Sequence, residues 1–233
     1  MTNFFLDLLF PRRCVSCQKF GDYICQVCVK KIKFLKNQFC PVCVRSSISG
    51  ATHPKCATHY SIDGLISLAE FSGPARAAII KLKYKLVSDL AAKLVNLTVD
   101  NLWRQSYLPE VKFILVPVPL HCQRENWRGF NQAAEIGKKL AEKLNLEYGE
   151  DYLIRVKNTK PQVDLDAKLR KKNVVGAFKV VNRRRVKNKN FLIVDDMVTT
   201  GATIKNCASC LKRAGARQVW GLTFARTAPS QLS

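Results

Sequence analysis

The stretch FLIVDDMVTTGATI, residues 191–204, decides what kind of fold this chain can form. Its first four residues are an uninterrupted apolar run, which is typical of a strand buried in a parallel sheet. Asp195 and Asp196 follow directly, so two acids are predicted at the carboxyl end of that strand. Segment 199–203 then offers hydroxyls and backbone N–H groups, and it opens a predicted helix from about residue 203 to 213. A turn of this kind suits a phosphate monoester.

Segments with strand and helix periodicity alternate along the chain after residue 60. Such alternation predicts a parallel sheet with helices on both faces. The predicted strands are 61–71, 111–120, 191–195 and 218–225, and the predicted helices are 73–103, 131–146 and 203–213. We therefore expect an α/β fold in residues 61–233, preceded by a smaller module in residues 1–60.

Ten cysteines constrain the first module, because seven of them lie before residue 60. They form three CxxC pairs and a CxxH, and two residues between ligands let a tight turn present both side chains to one metal. We expect structural zinc, with one site made by Cys14, Cys17, Cys25 and Cys28 and a second by Cys40, Cys43, Cys56 and His59. His53 is the alternative to His59, and an interleaved grouping of the pairs also fits.

Zinc accounts for this pattern better than disulfides or a redox pair. A disulfide framework would need a secreted chain, whereas the opening residues lack the basic segment and cleavage site of a signal peptide. A thioredoxin-type pair would need a surrounding βαβ pattern, which this module does not show. A module of this size with few large aliphatic side chains also forms little core, so metal binding would supply folding free energy.

The composition is strongly basic, with 39 Lys and Arg against 17 Asp and Glu and a formal net charge of +22. Such an excess favours polyanionic partners such as nucleic acid, although a basic surface can also serve solubility alone. No segment reaches the roughly 18 apolar residues of a membrane span. We expect a cytoplasmic protein, with contact of residues 4–13 with the inner face of the membrane as the alternative.

Segment 117–132 is a second candidate for anion binding. It follows a predicted strand and leads into a helix beginning at Asn131. Arg124 and Arg128 within it could bind an anion in bidentate fashion, next to the positive end of that helix. The alternative is a solvated loop with a capped helix after it.

Segment 155–189 is a third basic region, with 13 Lys and Arg and only two acids. Its first part, 155–178, is long and polar enough to be a lid over a polyphosphate. Its end, NRRRVKNKN (182–190), is either a solvated hairpin loop or a nucleic-acid contact through Arg183, Arg184 and Arg185.

The stretch 191–204 resembles the phosphoribosyl pyrophosphate (PRPP) motif of type I phosphoribosyltransferases, with the apolar run, the acid pair, the TTG and the final threonine in register. Strands of P-loop ATPases also end in acids, but the chain contains no GxxxxGK[ST]. With the CxxC pairs, WRGFNQ (127–132) and TKPQVDLDAKLRKKNVVGAF (159–178), residues 8–226 resemble the ComF family of competence proteins.

The resemblance implies a role for each part of the site. Asp195 and Asp196 accept hydrogen bonds from the ribose hydroxyls of PRPP, and the 5′-phosphate is held by Thr199, Thr200, Gly201, Ala202 and Thr203. The pyrophosphate loop comprises Pro117, Arg124, Arg128, Asn131 and Gln132, with Mg²⁺ bridging pyrophosphate and ribose oxygens largely through water and ligand. A mobile loop that closes over the pyrophosphate comprises Arg155, Lys157, Thr159, Gln162 and Arg170.

The implied activity is displacement of pyrophosphate from the anomeric carbon by a nucleophile, catalysed by positioning and charge stabilisation. Phosphoribosyltransferases select their nucleophile with a separate segment, the hood, which binds the base. No such segment is recognisable here, and the zinc module stands at the place in the chain where the hood usually lies. The implied function is the handling of incoming single-stranded DNA in natural transformation, together with DNA-uptake or recombination proteins. Two alternatives are a catalytically silent PRPP or nucleotide sensor that acts as a DNA-binding adaptor, and a small-molecule phosphoribosyltransferase.

Overall fold

A computed structural model describes residues 11–84, 88–105, 108–157 and 176–228. Within these ranges the helices are α1 (Gln26–Lys30), α2 (Gly73–Tyr84), α3 (Ser88–Gln105), α4 (Cys122–Arg128), α5 (Gln132–Leu144), α6 (Arg183–Val186) and α7 (Ala202–Arg213). The strands are β1 (Gln38–Phe39), β2 (Ser46–Ser47), β3 (Gly64–Glu70), β4 (Ile114–Pro117), β5 (Glu147–Tyr148), β6 (Leu153–Arg155), β7 (Phe178–Val180), β8 (Asn190–Val198) and β9 (Gln218–Arg226).

Five of these strands form one parallel sheet in the order β3-β9-β8-β4-β5, as the α/β alternation predicts. The strand β8 is central because its first apolar residues, 191–194, are buried on both faces. Helices cover both faces of the sheet. Because the strands are parallel, the carboxyl ends of β4, β8 and β9 meet at one rim. Ligands of such sheets bind beyond that rim.

Two apolar cores lie on the two sides of the sheet. One joins Leu68 and Phe224 of the sheet to Ile79 of α2 and Leu94 of α3. The other packs α7 against β8 and β9 and includes Val219. The buried cysteines of the first CxxC pairs belong to the first core, so the cysteine-rich module and the sheet share apolar packing.

The cysteine-rich module covers the edge of the sheet at β3. The buried side chain of Gln38 pairs with the backbone of Ser67, donating to its carbonyl at 2.9 Å and accepting from its N–H at 3.0 Å. Isolated antiparallel bridges join Phe34 to Ala69 and Ala51 to Gly64. The module therefore satisfies the hydrogen-bonding groups that an edge strand would otherwise expose.

Gly50 allows this close approach of the module to β3. It has a φ of +77°, and a Cβ atom built on it would lie 2.3 Å from the carbonyl oxygen of Leu65. A side chain here would collide with backbone that cannot move without disturbing the sheet, so the position requires glycine.

Several boundaries differ from the predictions. The helix expected over 73–103 is two helices, α2 and α3, with residues 85–87 outside the described ranges. The strand β8 continues to Val198 because its pairing with β9 extends to Arg226. The acid pair thus lies within the strand and not after it. Segment 117–132 contains the helix α4, and the predicted hairpin loop at 182–190 contains the short helix α6, capped by Asn182.

Among the described residues, no helix combines the length and the apolar character needed to cross a membrane.

Candidate functional site

Asp195 and Asp196 lie near the carboxyl end of β8, at the rim of the sheet. Asp196 is only 2% exposed, and its Oδ2 lies 3.3 Å from Nζ of Lys83 in the last turn of α2. Oδ1 of Asp195 accepts a hydrogen bond of 2.9 Å from the N–H of Asp196. The rim therefore holds two adjacent carboxylates with the Lys83 ammonium group beside them.

The acid pair is in an electrostatically unfavourable environment. Burial raises the pKa of Asp195 well above its usual value, the carboxylate of Asp196 adds to this rise, and Lys83 opposes it. Two carboxylates in one poorly hydrated place disfavour simultaneous ionisation. A ligand that donates hydrogen bonds, or brings positive charge, would stabilise both acids in their charged form.

The turn after β8 leads directly into the N-terminus of α7. Gly201 has a φ of +72° and is the N-cap residue of α7, which begins at Ala202, one residue earlier than predicted. Because glycine has no side chain to cap the helix, the N–H groups of the first turn are not satisfied by a capping side chain at this position. Thr200 Oγ1 accepts a bond of 3.4 Å from the N–H of Ala202. Such a helix start attracts anions.

Arginines from two other elements approach the same rim. Burial lowers the pKa of Arg124 on α4, and the like charge of Arg128 adds to the shift. Burial also lowers the pKa of Arg155 at the end of β6, with a contribution from Arg124, whereas Asp195 acts in the opposite direction. The charges of Arg124 and Asp195 both act on Arg155, so both side chains lie within electrostatic range of it. An anion would relieve the repulsion between the arginines.

The amides expected in the pyrophosphate loop serve the protein itself. Asn131 is the N-cap of α5, where its Oδ1 accepts from the N–H of Ala133 at 3.0 Å and its Nδ2 donates to the carbonyl of Val118 at 3.1 Å. Gln132 Oε1 accepts a bond of 3.0 Å from Nη1 of Arg128. Both amides are 5% exposed, so they position the loop and Arg128.

Pro117 and the expected lid residues are distributed differently. Pro117 is buried at the end of β4. Arg155 lies in β6, which pairs with β7 in a separate antiparallel sheet, and Lys157 is exposed just beyond it. Thr159, Gln162 and Arg170 lie outside the described residues.

The three nucleic-acid candidates, Arg183 to Arg185, lie before β8, whereas the acid pair lies near its end. Five to six residues of strand lie between the start of β8 at Asn190 and the acid pair, a distance of about 17–20 Å. Arg183 donates to the carbonyl of Arg213 at 2.6 Å, and Arg185 forms an ion pair with Asp151 and lies over the ring of Tyr152. Arg184 is exposed, and its side chain makes no hydrogen bond or ion pair with the described residues. The three arginines are thus not equivalent.

The first four cysteines, Cys14, Cys17, Cys25 and Cys28, form one cluster, with all ligand atoms within 4.8 Å of one another. Cys17 and Cys25 have their sulfurs 3.6 Å apart. Tetrahedral zinc with Zn–S bonds of about 2.3 Å requires sulfurs about 3.8 Å apart. The donor set and its spacing therefore fit zinc, as the sequence predicts.

The second cluster contains Cys40, Cys43, Cys56 and His53. Nδ1 of His53 lies 3.3 Å from the sulfur of Cys43, and its Nε2 lies 3.0 Å from the carbonyl oxygen of Ser46, which fixes the ring. His59 is not part of this cluster, and its ring packs edge-on against Tyr60 at 4.8 Å. The prediction of His59 as the fourth ligand is wrong, because the short helical turn at 54–56 brings His53 and Cys56 together.

The thiol environments repeat between the two clusters. Burial opposes ionisation of Cys14, but backbone N–H groups, that of Cys17 first, outweigh it and lower the pKa to about 6. The N–H of Arg45 lowers the pKa of Cys43 to about 6 in the same way. Burial and the neighbouring thiols raise the pKa of Cys28 to about 12 and that of Cys56 to about 11. A divalent cation in each cluster would favour the thiolates of that cluster, because its charge offsets the repulsion between them.

Lys83 lies beside the acid pair but is not among the site residues that the sequence predicts. A lysine in the last turn of a helix is common, because it complements the helix dipole. Nothing in its spacing distinguishes it from Lys81, and only the return of α2 to the end of β8 brings it to Asp196.

Comparison with known proteins assigns both parts of the chain. A double zinc ribbon domain matches residues 5–57, and a phosphoribosyl transferase domain matches residues 131–230. Among solved structures, the glutamine PRPP amidotransferase from B. subtilis is similar, with 18% identity and a TM-score of 0.41 over 62% of this chain and 30% of that chain. The expected zinc module and phosphoribosyltransferase-like fold are both confirmed.

Relatives match nearly the whole chain. It is 32% identical over 209 residues to DNA utilization protein YhgH of Salmonella typhimurium, and the aligned region covers 85% of this chain and 89% of the relative. It is 30% identical over 232 residues to competence protein F of Haemophilus influenzae, which covers 93% of this chain and 98% of the relative. With a double zinc ribbon followed by a phosphoribosyltransferase domain, the chain belongs to the ComF family of competence proteins.

Proposed function

We propose that the rim of the sheet binds PRPP with Mg²⁺. One observation carries this proposal: an acid pair, of which Asp196 is buried and Asp195 half-buried, is followed a few residues later by a helix whose N-cap residue, Gly201, has no capping side chain. Carboxylates suit the ribose hydroxyls as acceptors, and the helix start suits a phosphate. Acceptors for the ribose hydroxyls thus come just before a place for the phosphate, as binding of a 5-phosphorylated ribose would require.

The pyrophosphate would lie on the side of α4 and β6. Arg124, Arg128 and Arg155 bring positive charge there, and the contact of Arg128 with Gln132 orients its guanidinium group. Arginines held in place before the reaction stabilise charge that develops on a leaving pyrophosphate. The raised pKa of Asp195 supports a role for added positive charge at this rim, and Mg²⁺, which prefers oxygen ligands, would supply it when bound with PRPP.

We infer that turnover, where it occurs, displaces pyrophosphate from the anomeric carbon. The residues of this chain would act mainly by fixing the ribose and the pyrophosphate of PRPP, so that the bond that breaks lies in line with an incoming nucleophile. The acid pair would fix the ribose ring through its hydroxyls, and the arginines would receive the leaving group.

We place this activity in the handling of incoming single-stranded DNA. The names of the relatives support a role in DNA use and competence. The net charge of +22 and the exposed Arg184, far from the acid pair, support contact with a polyanion. The same charge also favours the second candidate, a PRPP-sensing adaptor that binds DNA without turnover.

Calorimetric titration of PRPP with Mg²⁺ tests the binding proposal. We expect the double variant Asp195→Asn, Asp196→Asn to bind at least about 100-fold more weakly than the wild type, because two charge-assisted hydrogen bonds are lost. Asp100→Asn, an exposed acid on α3, is the matched control and should bind normally. Equal binding by wild type and double variant would contradict the proposal. Release of pyrophosphate in the calorimeter cell during the titration would favour an enzyme over an adaptor that only binds PRPP.

A further inference from the structure

Trp127 on α4 is the most exposed aromatic side chain among the described residues. It is 73% exposed, whereas tryptophan is highly buried on average. Phe20 and Tyr60 are also exposed, but a guanidinium group lies over each of those two rings, at 4.1 and 4.2 Å. The ring of Trp127 has no such partner within the part of the chain that the structure describes. Its faces are therefore open to a ligand.

The loop that carries α4 is anchored beside the acid pair. It leaves β4 at Pro117, which pairs with Val194 of β8, and the N–H of Val118 donates to the carbonyl of Val194 at 2.9 Å. It returns at Asn131, whose Nδ2 donates to the carbonyl of Val118 at 3.1 Å. Asn131 is four positions after Trp127, so their Cα atoms are at most about 14 Å apart. Trp127 therefore lies close to the rim that holds the acid pair.

The surroundings of Trp127 are basic. Arg124 lies three positions before it, on the same side of the helix, and Arg128 follows it directly. Glu125 is the one acid of α4. Burial raises the pKa of Tyr148 on β5, and the charge of Glu125 adds to this rise, so Glu125 lies within electrostatic range of Tyr148. The indole ring is thus an aromatic surface between two cations.

These surroundings favour a nucleotide or nucleic-acid partner over a protein. The buried centre of a protein–protein interface is depleted in charged residues and enriched in apolar ones. On α4 the exposed residues besides Trp127 are small or polar, namely Cys122, Gln123 and Asn126. An aromatic ring beside cations is instead the arrangement on which bases of single strands stack, while positive charge attracts their phosphates.

We propose that Trp127 is a stacking surface for a nucleobase at the rim of the sheet. The base belongs to a free nucleotide or to single-stranded DNA, and both offer the same planar ring with a phosphate attached. In this way α4 supplies the base contact for which the sequence shows no separate hood. That acceptor role rests on the proposed function, whereas the stacking itself does not. The site is separate from Arg183 to Arg185, which lie at the other end of β8.

Two strands of equal length separate stacking from phosphate contact: oligo(dT) of about 12 nucleotides and an abasic strand. We expect Trp127→Ala to bind oligo(dT) about tenfold more weakly than the wild type, and Trp127→Phe to stay within about threefold, because a smaller ring still stacks. Phe20→Ala, which removes an exposed aromatic side chain of the first ribbon, is the matched control and should bind normally. The abasic strand should bind equally to the wild type and to Trp127→Ala.

Indole fluorescence reports the stacking directly. Trp220 is only 7% exposed, so its ring is shielded from a ligand at the surface. Oligo(dT) should quench the fluorescence of the wild type in saturable fashion. In Trp127→Phe this quenching should disappear although the strand still binds, because the stacked indole is gone.

Two results would overturn the inference. One is equal affinity of Trp127→Ala and the wild type for oligo(dT). The other is an equal loss of affinity by Trp127→Ala for oligo(dT) and for the abasic strand, because the ring would then act only on phosphate contacts. Thymidine monophosphate assigns the source of the base. Trp127-dependent binding of this nucleotide would identify a free nucleotide as the ligand, and dependence with oligo(dT) alone would identify a DNA strand; either result supports the stacking surface.

The titrations with oligo(dT) contain no PRPP, so their outcome is independent of the proposed function. Trp127-dependent stacking in a protein that binds no PRPP would support the inference and refute the proposed function. Trp127→Ala should bind PRPP with Mg²⁺ within about twofold of the wild type, because the ring contacts the other reactant. A loss of PRPP binding as large as the loss of oligo(dT) binding would overturn the acceptor role of Trp127.

Discussion

Replacing Lys83 by methionine should destabilise the fold through the acid pair. Lys83 Nζ and Asp196 Oδ2 are 3.3 Å apart, with side chains 26% and 3% exposed. At this distance an effective dielectric constant of about 20 gives an attraction of about 5 kcal/mol. Partial exposure of Lys83 and the desolvation cost of both charges reduce the net value, so we expect a loss of about 2–3 kcal/mol at neutral pH.

The loss should depend on pH with a definite sign. Lys83 opposes the rise in the pKa of Asp195, so its removal raises that pKa further. The native state then binds more protons than the unfolded state, and stability falls as pH rises. Lys83→Met should therefore be destabilised more strongly at pH values above about 7 than near the unfolded Asp pKa of about 3.9.

Urea unfolding of a double-mutant cycle measures this effect. Asp196→Asn added to Lys83→Met should recover most of the lost stability, because no unpaired carboxylate remains at that position. Lys33→Met is the matched control: Lys33 pairs with Glu70 at 3.6 Å, but its side chain is 71% exposed, and its removal should cost less than about 1 kcal/mol. The reasoning is refuted if Lys83→Met and Lys33→Met lose the same stability, or if Asp196→Asn gives no recovery.

Three further predictions follow from the zinc clusters, the basic surface and the acid pair. Elemental analysis of His53→Ala should show one zinc per chain or a weakened second zinc, whereas His59→Ala should keep two; the opposite result would restore His59 as the ligand. Arg184→Ala should lower the affinity for single-stranded DNA and reduce the slope of log affinity against log salt concentration by about 1. Arg183→Ala should change stability more than binding, because Arg183 contacts the backbone of α7. Equal slopes for Arg184→Ala and the wild type would remove Arg184 from the interface. Asp195→Asn should raise the melting temperature at neutral pH, since the raised pKa makes ionised Asp195 unfavourable in the native state, and the gain should vanish as pH falls to about 4; a gain independent of pH would contradict this reasoning.

Local patterns in the sequence were sufficient for the sheet and for the turn that leads from β8 into α7. The run 191–194 is apolar on both faces, as a central strand requires, and the glycine at 201 marks the turn before the helix α7. The first zinc site was equally predictable, because its four cysteines lie within 15 residues and form two CxxC turns.

The remaining features depend on contacts between distant parts of the chain. The choice between His53 and His59 depends on how the turn at 54–56 folds back, because both residues are within reach of Cys56 in the sequence. The end of β8 was misplaced because pairing with β9, not local propensity, carries the strand past two aspartates. The proximity of Arg226 to residues 40–44 follows from the packing of the ribbon on the edge of β3, which no local pattern encodes.

Phosphorus NMR of the zinc-loaded chain titrated with PRPP and Mg²⁺ tests the central claim most directly, because the 5′-phosphate and the pyrophosphate give separate signals. We predict that both signals shift or broaden in saturable fashion with the wild type, and that neither responds with Asp195→Asn, Asp196→Asn. Signals from PRPP that stay unchanged in the presence of folded wild-type protein would contradict the claim that this rim is a PRPP site.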